Sequence, residues 1–243
     1  MNKVLTIIPT IGSDDLIDSA RSVISQKYMT DLLLVVDGLQ FKDRVNNVLQ
    51  KANIDVDNFS VFRLDLPFNT GANGFYGHRI MAGIGHLINH EYVSFLDQDN
   101  WYAENHIQSM VKTLEANNFD WGYSLRSIYD KDKNYICDDN CESLGRFNAW
   151  VGDDVYLVDS STYLFKTDFF YKVCANWHSG WGGDRRFYAI LTQHFKHNNY
   201  GSNKLHTLNY RLGGNEGSVT SDFFIKGNEL MKQKYGSRFP WHI

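Results

Sequence analysis

Four short apolar segments in the first hundred residues constrain the fold of this chain more than any other feature. Each is apolar along most of its length rather than alternating with polar residues, which is typical of parallel strands covered on both faces of a sheet. Segments with helical spacing separate them, so the order β-α-β-α-β-α-β predicts an α/β fold with a mostly parallel sheet flanked by helices. The apolar segments run from Val4 to Ile8, from Leu32 to Val36, from Val61 to Leu64 and from Glu91 to Leu96.

The three segments between these strands show the spacing of amphipathic helices. In each of them apolar residues recur three or four positions apart, which places them on one face of a helix. Ser13 lies just before the first set and is a candidate N-cap. The apolar positions are Leu16, Ala20, Val23 and Ile24 in the first helix, Phe41, Val45, Val48 and Leu49 in the second, and Ile80, Ile84 and Leu87 in the third.

Residues 101–243 predict a second half with shorter and more irregular elements. The polar stretch 130–150 is expected to form a surface loop. No linker-like segment interrupts the chain, so we expect one domain over residues 1–243, with residues 1–100 as its nucleotide-binding half. Strands are expected at 123–125, 155–158, 162–165 and 205–212, and helices at 107–114, at 168–177 and after a turn at 181–184.

Composition and charge exclude several classes of protein. Hydrophobic residues make up 43% and charged residues 21% of the chain, as in ordinary soluble globular proteins. The net charge of -4 gives no reason to expect nucleic acid as a partner. Three cysteines without metal-site spacing argue against a disulfide framework. Without a signal peptide or an apolar stretch of the ~20 residues that span a bilayer, the expected location is the cytoplasm.

Asp97 and Asp99 directly follow the fourth strand and are the first candidate functional residues. On an extended backbone, residues two positions apart point to the same side, so both carboxylates can converge on one ion. Open α/β sheets bind their ligands at this carboxyl edge. Two oxygen ligands without Cys or His suit Mg²⁺ or Mn²⁺, which share their coordination with substrate phosphates. Two solvated acids are the alternative, since Asp-x-Asp is common by chance.

Five segments match the motifs of one known family in order and spacing. They run from Thr6 to Thr10, from Ser19 to Gln26, from Val35 to Gly38, from Phe95 to Asp99 and from Trp181 to Phe187. Together they resemble the family 2 glycosyltransferases, which have the GT-A fold, over roughly residues 3–215. The resemblance implies a sugar-nucleotide-binding half at 1–100 and an acceptor-binding half at 101–243.

The resemblance implies several donor contacts. Pro9 and Thr10 would flank the base and ribose of a sugar nucleotide, and Asp37 would contact the base. Arg79 follows a glycine-containing loop at the start of a helix, which makes it a candidate contact for the diphosphate or the base. A surface arginine is the alternative for Arg79.

The resemblance also implies catalytic and metal-binding residues. Asp99, helped by Asp97, would hold Mn²⁺ or Mg²⁺. Asp184 would be the general base that removes the proton of the acceptor hydroxyl, with a helix N-cap as its alternative role. His206 is a candidate third metal ligand, because some GT-A enzymes take one from this late region. The next carboxylates to consider as base are Asp153, Asp154 and Asp159.

Tryptophans and departures from the family pattern refine the predicted site. Trp181 offers a flat face for a sugar ring, although a core position is the commoner role of tryptophan. Gly183 is expected at the substrate and stands where the family commonly has Glu. Val36 replaces the first Asp of the usual pair, which leaves Asp37 alone to meet the base. The Gln-x-x-Arg-Trp motif of processive synthases is missing, which argues against a polymer-extruding enzyme.

The predicted function is therefore an inverting, metal-dependent transfer of one sugar from a nucleoside-diphosphate sugar to a hydroxyl group. The expected donor is a UDP-sugar, and the expected acceptor is a glycan or lipid-linked glycan of bacterial surface polysaccharide synthesis. Alternatives are a sugar-nucleotide pyrophosphorylase and a non-catalytic sugar-nucleotide- or glycan-binding module. The basic and aromatic C-terminal stretch fits either a peripheral contact at the inner face of a membrane or a solvated amphipathic helix. Its residues include Lys226, Lys232, Lys234, Arg238 and Trp241.

Overall fold

The first half of the chain forms the predicted parallel sheet. The structure is a computed structural model that describes residues 2–56, 60–195, 199–213 and 219–243. Strand β1 pairs in parallel with β2 and β4, and β2 pairs in parallel with β3. The strands are β1 (Val4–Thr10), β2 (Thr30–Val36), β3 (Val61–Asp65) and β4 (Tyr92–Phe95), and the helices between them are α1 (Leu16–Ile24), α2 (Lys42–Ala52) and α3 (His78–Ile84).

The second half extends the sheet with mixed pairing. Its strands are β5 (Trp101–Tyr102), β6 (Trp121–Tyr129), β7 (Tyr135–Asp138), β8 (Tyr163–Lys166) and β9 (Tyr200–Arg211). Its helices are α4 (His106–Asn117), α5 (Thr167–Val173), α6 (Gly183–His194) and α7 (Ser221–Tyr235). Over the described residues the strand order is β3-β2-β1-β4-β8-β6-β9-β5, with β7 paired to β6. The chain thus has the predicted mixed α/β architecture.

Both faces of the sheet are buried, as the uniformly apolar strands predict. Val4 and Ile8 of β1 pack in a core with residues of α1, α2 and α4. Leu5 and Ile7 of the same strand pack in a second core with residues of α3, α5 and α6. This division follows from the two-residue period of a strand, which sends neighbouring side chains to opposite faces.

The stretch 130–150 is not the predicted surface loop. It contains β7, and the side chains of Asp139, Cys141 and Leu144 are fully buried. Cys141 and Leu144 belong to a third core, to which α7 contributes Phe224 and Met231. The prediction was wrong because polar composition suggests solvent exposure, whereas the acidic side chains here are buried through ion pairs.

Three smaller predictions also need correction. Residues 155–158 are largely buried but form no strand, because their backbone bonds to a loop: Val155 C=O accepts from Ala149 N–H at 2.7 Å. The N-cap of α1 is Asp15 and not Ser13. Trp241 is only 3% exposed and donates from Nε1 to Asn140 Oδ1 at 2.8 Å, so its ring is not available to a membrane surface.

Across the described parts of the chain, none of the helices has the length and apolar character required to cross a membrane.

Candidate active site

Asp97 and Asp99 lie at the carboxyl end of β4, as predicted, but a turn brings them together. Asn100 N–H donates to Asp97 C=O at 3.2 Å, so the chain bends here instead of continuing as an extended strand. Asp97 N–H donates to Ser161 Oγ at 3.0 Å. Both carboxylates line the same pocket. The two carboxylates are thus brought to one pocket by a turn, and not by the extended backbone from which their shared position was predicted.

Gln98, between the two acids, fixes this turn to the end of β1. Its Oε1 atom accepts from Thr10 Oγ1 at 2.8 Å and from Ile11 N–H at 3.1 Å. Ser19 Oγ on α1 is within 2.7 Å of the Gln98 carbonyl oxygen. The loops after β1 and β4 are therefore held as one unit, which gives Asp97 and Asp99 a fixed backbone.

Burial and mutual repulsion disfavour the ionised forms of Asp97 and Asp99 when no cation is bound. Burial raises the pKa of Asp97 well above its usual value, and the charges of Asp99 and Asp159 raise it further. Burial also raises the pKa of Asp99, to about 6. A divalent cation would relieve this repulsion, and Mg²⁺ is commonly held by one or two carboxylates plus substrate phosphates. The donor set fits such an ion.

His206 is not part of this carboxylate pair. It lies in the middle of β9, where it is in register with Leu125 of β6. Its Nδ1 atom is 3.9 Å from Asp138 Oδ2, and its ring contacts His242 at a centroid distance of 5.2 Å. Among the residues that the structure describes, no group of three or more His, Cys, Asp or Glu side chains is arranged to hold a metal ion.

Asp37 lines the pocket at the end of β2 and also holds the loop that follows β3. Its Oδ1 atom accepts from Thr70 N–H at 2.7 Å and from Thr70 Oγ1 at 2.8 Å. Its Oδ2 atom accepts from Gly71 N–H at 2.8 Å. A carboxylate has about four acceptor positions, so one remains for a ligand.

Arg79 does not line the pocket. Its guanidinium carbon lies 3.5 Å from the centroid of the Phe75 ring, and Nη1 donates to Thr70 C=O at 3.3 Å. Arg79 therefore braces the loop 70–76, which borders the pocket through Gly71 and Tyr76.

Asp184 lies in the first turn of α6 and lines the same pocket as Asp97 and Asp99. The N-cap of α6 is Gly182, in the left-handed conformation with φ 76°, so Asp184 is not the cap. Burial raises the pKa of Asp184 to about 7, with a further contribution from the charge of Asp159. Its side chain remains 37% exposed to the pocket. A carboxylate with this pKa is suited to accept a proton at neutral pH.

Gly183 forms the floor beneath Asp184 and does not line the pocket itself. A Cβ atom at this position would lie 2.5 Å from Cε1 of His78. The imidazole ring therefore fills the space that the side chain of a family-typical Glu would need. His78, the first residue of α3, was not among the predicted site residues.

A buried ion cluster forms the wall of the pocket opposite the β1 and β2 loops. Arg126 of β6 donates to Asp139 at 2.8 Å and to Glu142 and Asp159 at 2.5 Å each. All four side chains are less than a tenth exposed. Arg126, Glu142 and Asp159 border the pocket. The guanidinium group of Arg126 thus pairs with three carboxylates, and two of these, on Glu142 and Asp159, border the pocket.

Sequence reasoning missed most of this cluster. Of the three carboxylates predicted as alternative bases, Asp159 belongs to this cluster, whereas Asp153 and Asp154 are exposed and outside the pocket. No short motif links Arg126 with its partners, since they are 13, 16 and 33 positions away. The available signal was an arginine inside the otherwise uncharged β6 segment, because a buried arginine requires acidic partners.

Trp181 is 81% exposed at the rim of the pocket. Two other tryptophans have structural positions: Trp177 is fully buried, and Trp150 packs on Phe223 and Gly227. Of these three tryptophans, only Trp181 presents its ring to a ligand.

The pocket has a volume of about 520 Å³, which is within the usual range for ligand sites. It brings together most of the predicted site residues from four separate parts of the chain. Those in its lining are Pro9, Thr10, Asp37, Asp97, Asp99, Trp181 and Asp184, and those outside it are Arg79, Gly183 and His206.

This geometry defines an α/β protein of the GT-A type with an acidic pocket at the carboxyl edge of its sheet. The sequence model described as "Glycosyl transferase family 2" matches residues 6–136, more than half of the chain. The chain therefore belongs to glycosyltransferase family 2. No sequence among curated proteins matches it significantly.

Solved structures with a similar fold include those of TarS from S. aureus. The TarS 1-349 complex with UDP-GlcNAc is 13% identical, with a TM-score of 0.62, over 96% of this chain and 66% of that one. The complex with UDP is 14% identical, with a TM-score of 0.57, over 96% and 65%. This chain thus spans slightly less than two thirds of the TarS chains, and at these identities the likeness shows the fold alone.

Proposed function

We propose that this protein transfers one sugar from a nucleoside-diphosphate sugar to a hydroxyl group of an acceptor, with inversion at the anomeric carbon. The observation that carries the proposal is the shared pocket of Asp97, Asp99 and Asp184. Their charges interact, since Asp184 contributes to the raised pKa of Asp97. This arrangement supports a leaving-group site and a base within one substrate-sized cavity.

The donor would bind at the β1, β2 and β4 side of the pocket. Pro9 and Thr10 border the space for the nucleoside, and Asp37 has one acceptor position left for a base N–H. Asp97 and Asp99 would hold Mn²⁺ or Mg²⁺, which stabilises the negative charge on the departing diphosphate when bound. The TarS complexes contain UDP and UDP-GlcNAc, which supports a UDP-sugar as donor for this chain.

The acceptor would enter past Trp181, whose exposed ring can stack on a sugar. Asp184 takes the proton of the acceptor hydroxyl as its oxygen attacks the anomeric carbon. An attack opposite the leaving diphosphate inverts the configuration there. In this proposal residues 1–243 act as one domain, in the cytoplasm or at the inner face of the membrane. The acceptor is a glycan or lipid-linked glycan of bacterial surface polysaccharide.

Metal-dependent donor binding tests the donor half of this proposal. UDP and UDP-sugars should stabilise the protein thermally with Mn²⁺ and much less with EDTA, since a ligand at 100 times its dissociation constant adds about 2.7 kcal/mol. Asp99→Asn should remove the difference between Mn²⁺ and EDTA. Asp153→Asn, at an exposed carboxylate outside the pocket, is the matched control and should behave as wild type. Equal stabilisation with and without metal would overturn the assignment of Asp99.

A further inference from the structure

His78 occupies an unusual position beneath the proposed base. It is 8% exposed, borders the pocket and packs against Trp177 at a centroid distance of 5.5 Å. Its Nε2 atom lies 3.9 Å from Asp184 Oδ1. The absence of a side chain at Gly183 makes room for the ring, because a Cβ atom there would lie 2.5 to 3.2 Å from three of its atoms.

The hydrogen bond of His78 determines which nitrogen carries the proton. Nδ1 lies 2.7 Å from the carbonyl oxygen of Ser179, which can only accept, so Nδ1 must be the donor. Burial lowers the pKa of His78, which keeps the ring neutral near pH 7. A neutral ring protonated at Nδ1 has a lone pair on Nε2. That lone pair faces Asp184.

We propose that His78 is a positioning residue for Asp184: its neutral imidazole, fixed by Ser179 and seated on Gly183, covers the carboxylate and offers Nε2 as acceptor when Asp184 carries a proton. The proposal rests on the role of Asp184 given above. The present distance of 3.9 Å is longer than a hydrogen bond, and a small rotation of the carboxyl group would complete it.

A neutral partner suits a base better than a cationic one. A cation beside Asp184 would lower the pKa of the carboxyl group and weaken it as a base. His78 instead excludes water from one side and accepts a hydrogen bond from the protonated form, and both effects favour proton uptake. Other charged groups also act on Asp184: Asp159 and Glu142 raise its pKa, and Arg126 lowers it. The charge of Asp184 interacts with that of Asp97 as well.

The first test needs no substrate. In ¹⁵N–¹H NMR spectra of the full chain, His78 should show the Nδ1–H tautomer at neutral pH. Its ring signals should also shift near pH 7 as Asp184 titrates, and Asp184→Asn should abolish that inflection. An Nε2–H tautomer, or signals that do not respond to Asp184, would overturn the proposal even if the protein transfers no sugar. Conversely, an inactive wild-type protein with the expected spectra would count against the proposed function alone.

The second test uses the contact between His78 and Gly183. Gly183→Ala should displace the ring and lower kcat roughly ten- to a hundred-fold, the effect expected of a misplaced catalytic group. His78→Ala should lower kcat similarly and move the acid limb of the pH profile to lower pH, with the donor KM unchanged. When Gly183→Ala is added to His78→Ala, kcat should fall hardly any further, because the imidazole ring no longer fills the space next to residue 183.

Two further variants complete this test. His78→Gln retains an acceptor group near Asp184 and should recover part of the activity lost in His78→Ala. His86→Gln, at an exposed histidine just after α3, is the matched control and should keep full activity. Additive losses at positions 78 and 183, or a His78→Ala enzyme with the kcat and pH profile of wild type, would show that His78 has no role in positioning the base.

Discussion

Replacing Asp184 by asparagine should separate sugar transfer from donor binding. The side chain keeps its size and most of its hydrogen bonds but can no longer take a proton. Turnover should therefore fall about 10²–10⁴-fold, the usual contribution of a general base. Donor affinity should stay nearly constant, because Asp184 acts on the acceptor in the transition state.

The pH profile provides the quantitative part of this prediction. The pKa of Asp184 is raised to about 7, and only the ionised carboxylate can accept the proton. Activity should rise with pH and level off above neutrality. At pH 6 roughly a tenth of the protein would carry the ionised base, so kcat/KM should be about ten-fold below its plateau. The residual activity of Asp184→Asn should lack this acid limb.

Stability should change in the opposite direction to activity. Since folding raises the pKa of Asp184 above its ordinary value of 3.8, ionisation of this group disfavours the folded state. Its unfavourable contribution grows as pH rises from about 4 through about 7. Asp184→Asn should accordingly melt at a higher temperature than wild type at pH 8 and at nearly the same temperature at pH 4.

Sugar transfer from UDP-sugars, scored by released UDP, and thermal melts at both pH values would check these expectations together. Asp153→Asn serves as the control for loss of one acidic group at an exposed position. A fully active Asp184→Asn protein would refute the assignment of the base. The search would then move to Asp159, the other unassigned aspartate in the pocket wall.

Three further variants test the pocket walls. Asp37→Ala should weaken nucleotide binding, measured by titration calorimetry, roughly ten- to a hundred-fold, because a hydrogen bond to a charged group contributes about 1.5–3 kcal/mol. Unchanged affinity would show that the nucleobase does not bind at Asp37. Arg126→Met should lower the free energy of unfolding in urea by about 3–5 kcal/mol at pH 7, since three buried acids lose their cation. Arg186→Met, at an exposed arginine, should change it little, and equal effects of the two arginine variants would contradict the role of the cluster. Trp181→Ala should raise the acceptor KM, whereas Trp181→Phe should largely preserve it. The free energy of unfolding of both variants should stay within about 0.5 kcal/mol of wild type, because the ring is 81% exposed. An unaltered acceptor KM in Trp181→Ala would show that Trp181 does not contact the acceptor.

The parallel half of the fold and the position of the pocket at the carboxyl edge of the sheet could be predicted from the sequence alone. Apolar strands such as β1 must be covered on both faces, and parallel strands end at one common edge. Residues just beyond those ends, such as Asp37 and Asp97, therefore had to meet there. These are local consequences of backbone periodicity, which is why they could be predicted from a single chain.

The pocket wall formed by Arg126, Glu142 and Asp159 depends on tertiary packing and could not be predicted in this way. Arg126 meets its three acidic partners across long sequence separations, and a polar segment such as 130–150 gives no sign of burial until those ions are paired. Strand register likewise placed His206 in mid-strand, five residues before Arg211 ends β9. His78 packs against Gly183, and this contact joins the start of α3 to the start of α6, more than a hundred residues later. Such contacts depend on how separate elements pack, and periodicity along one element carries no information about them.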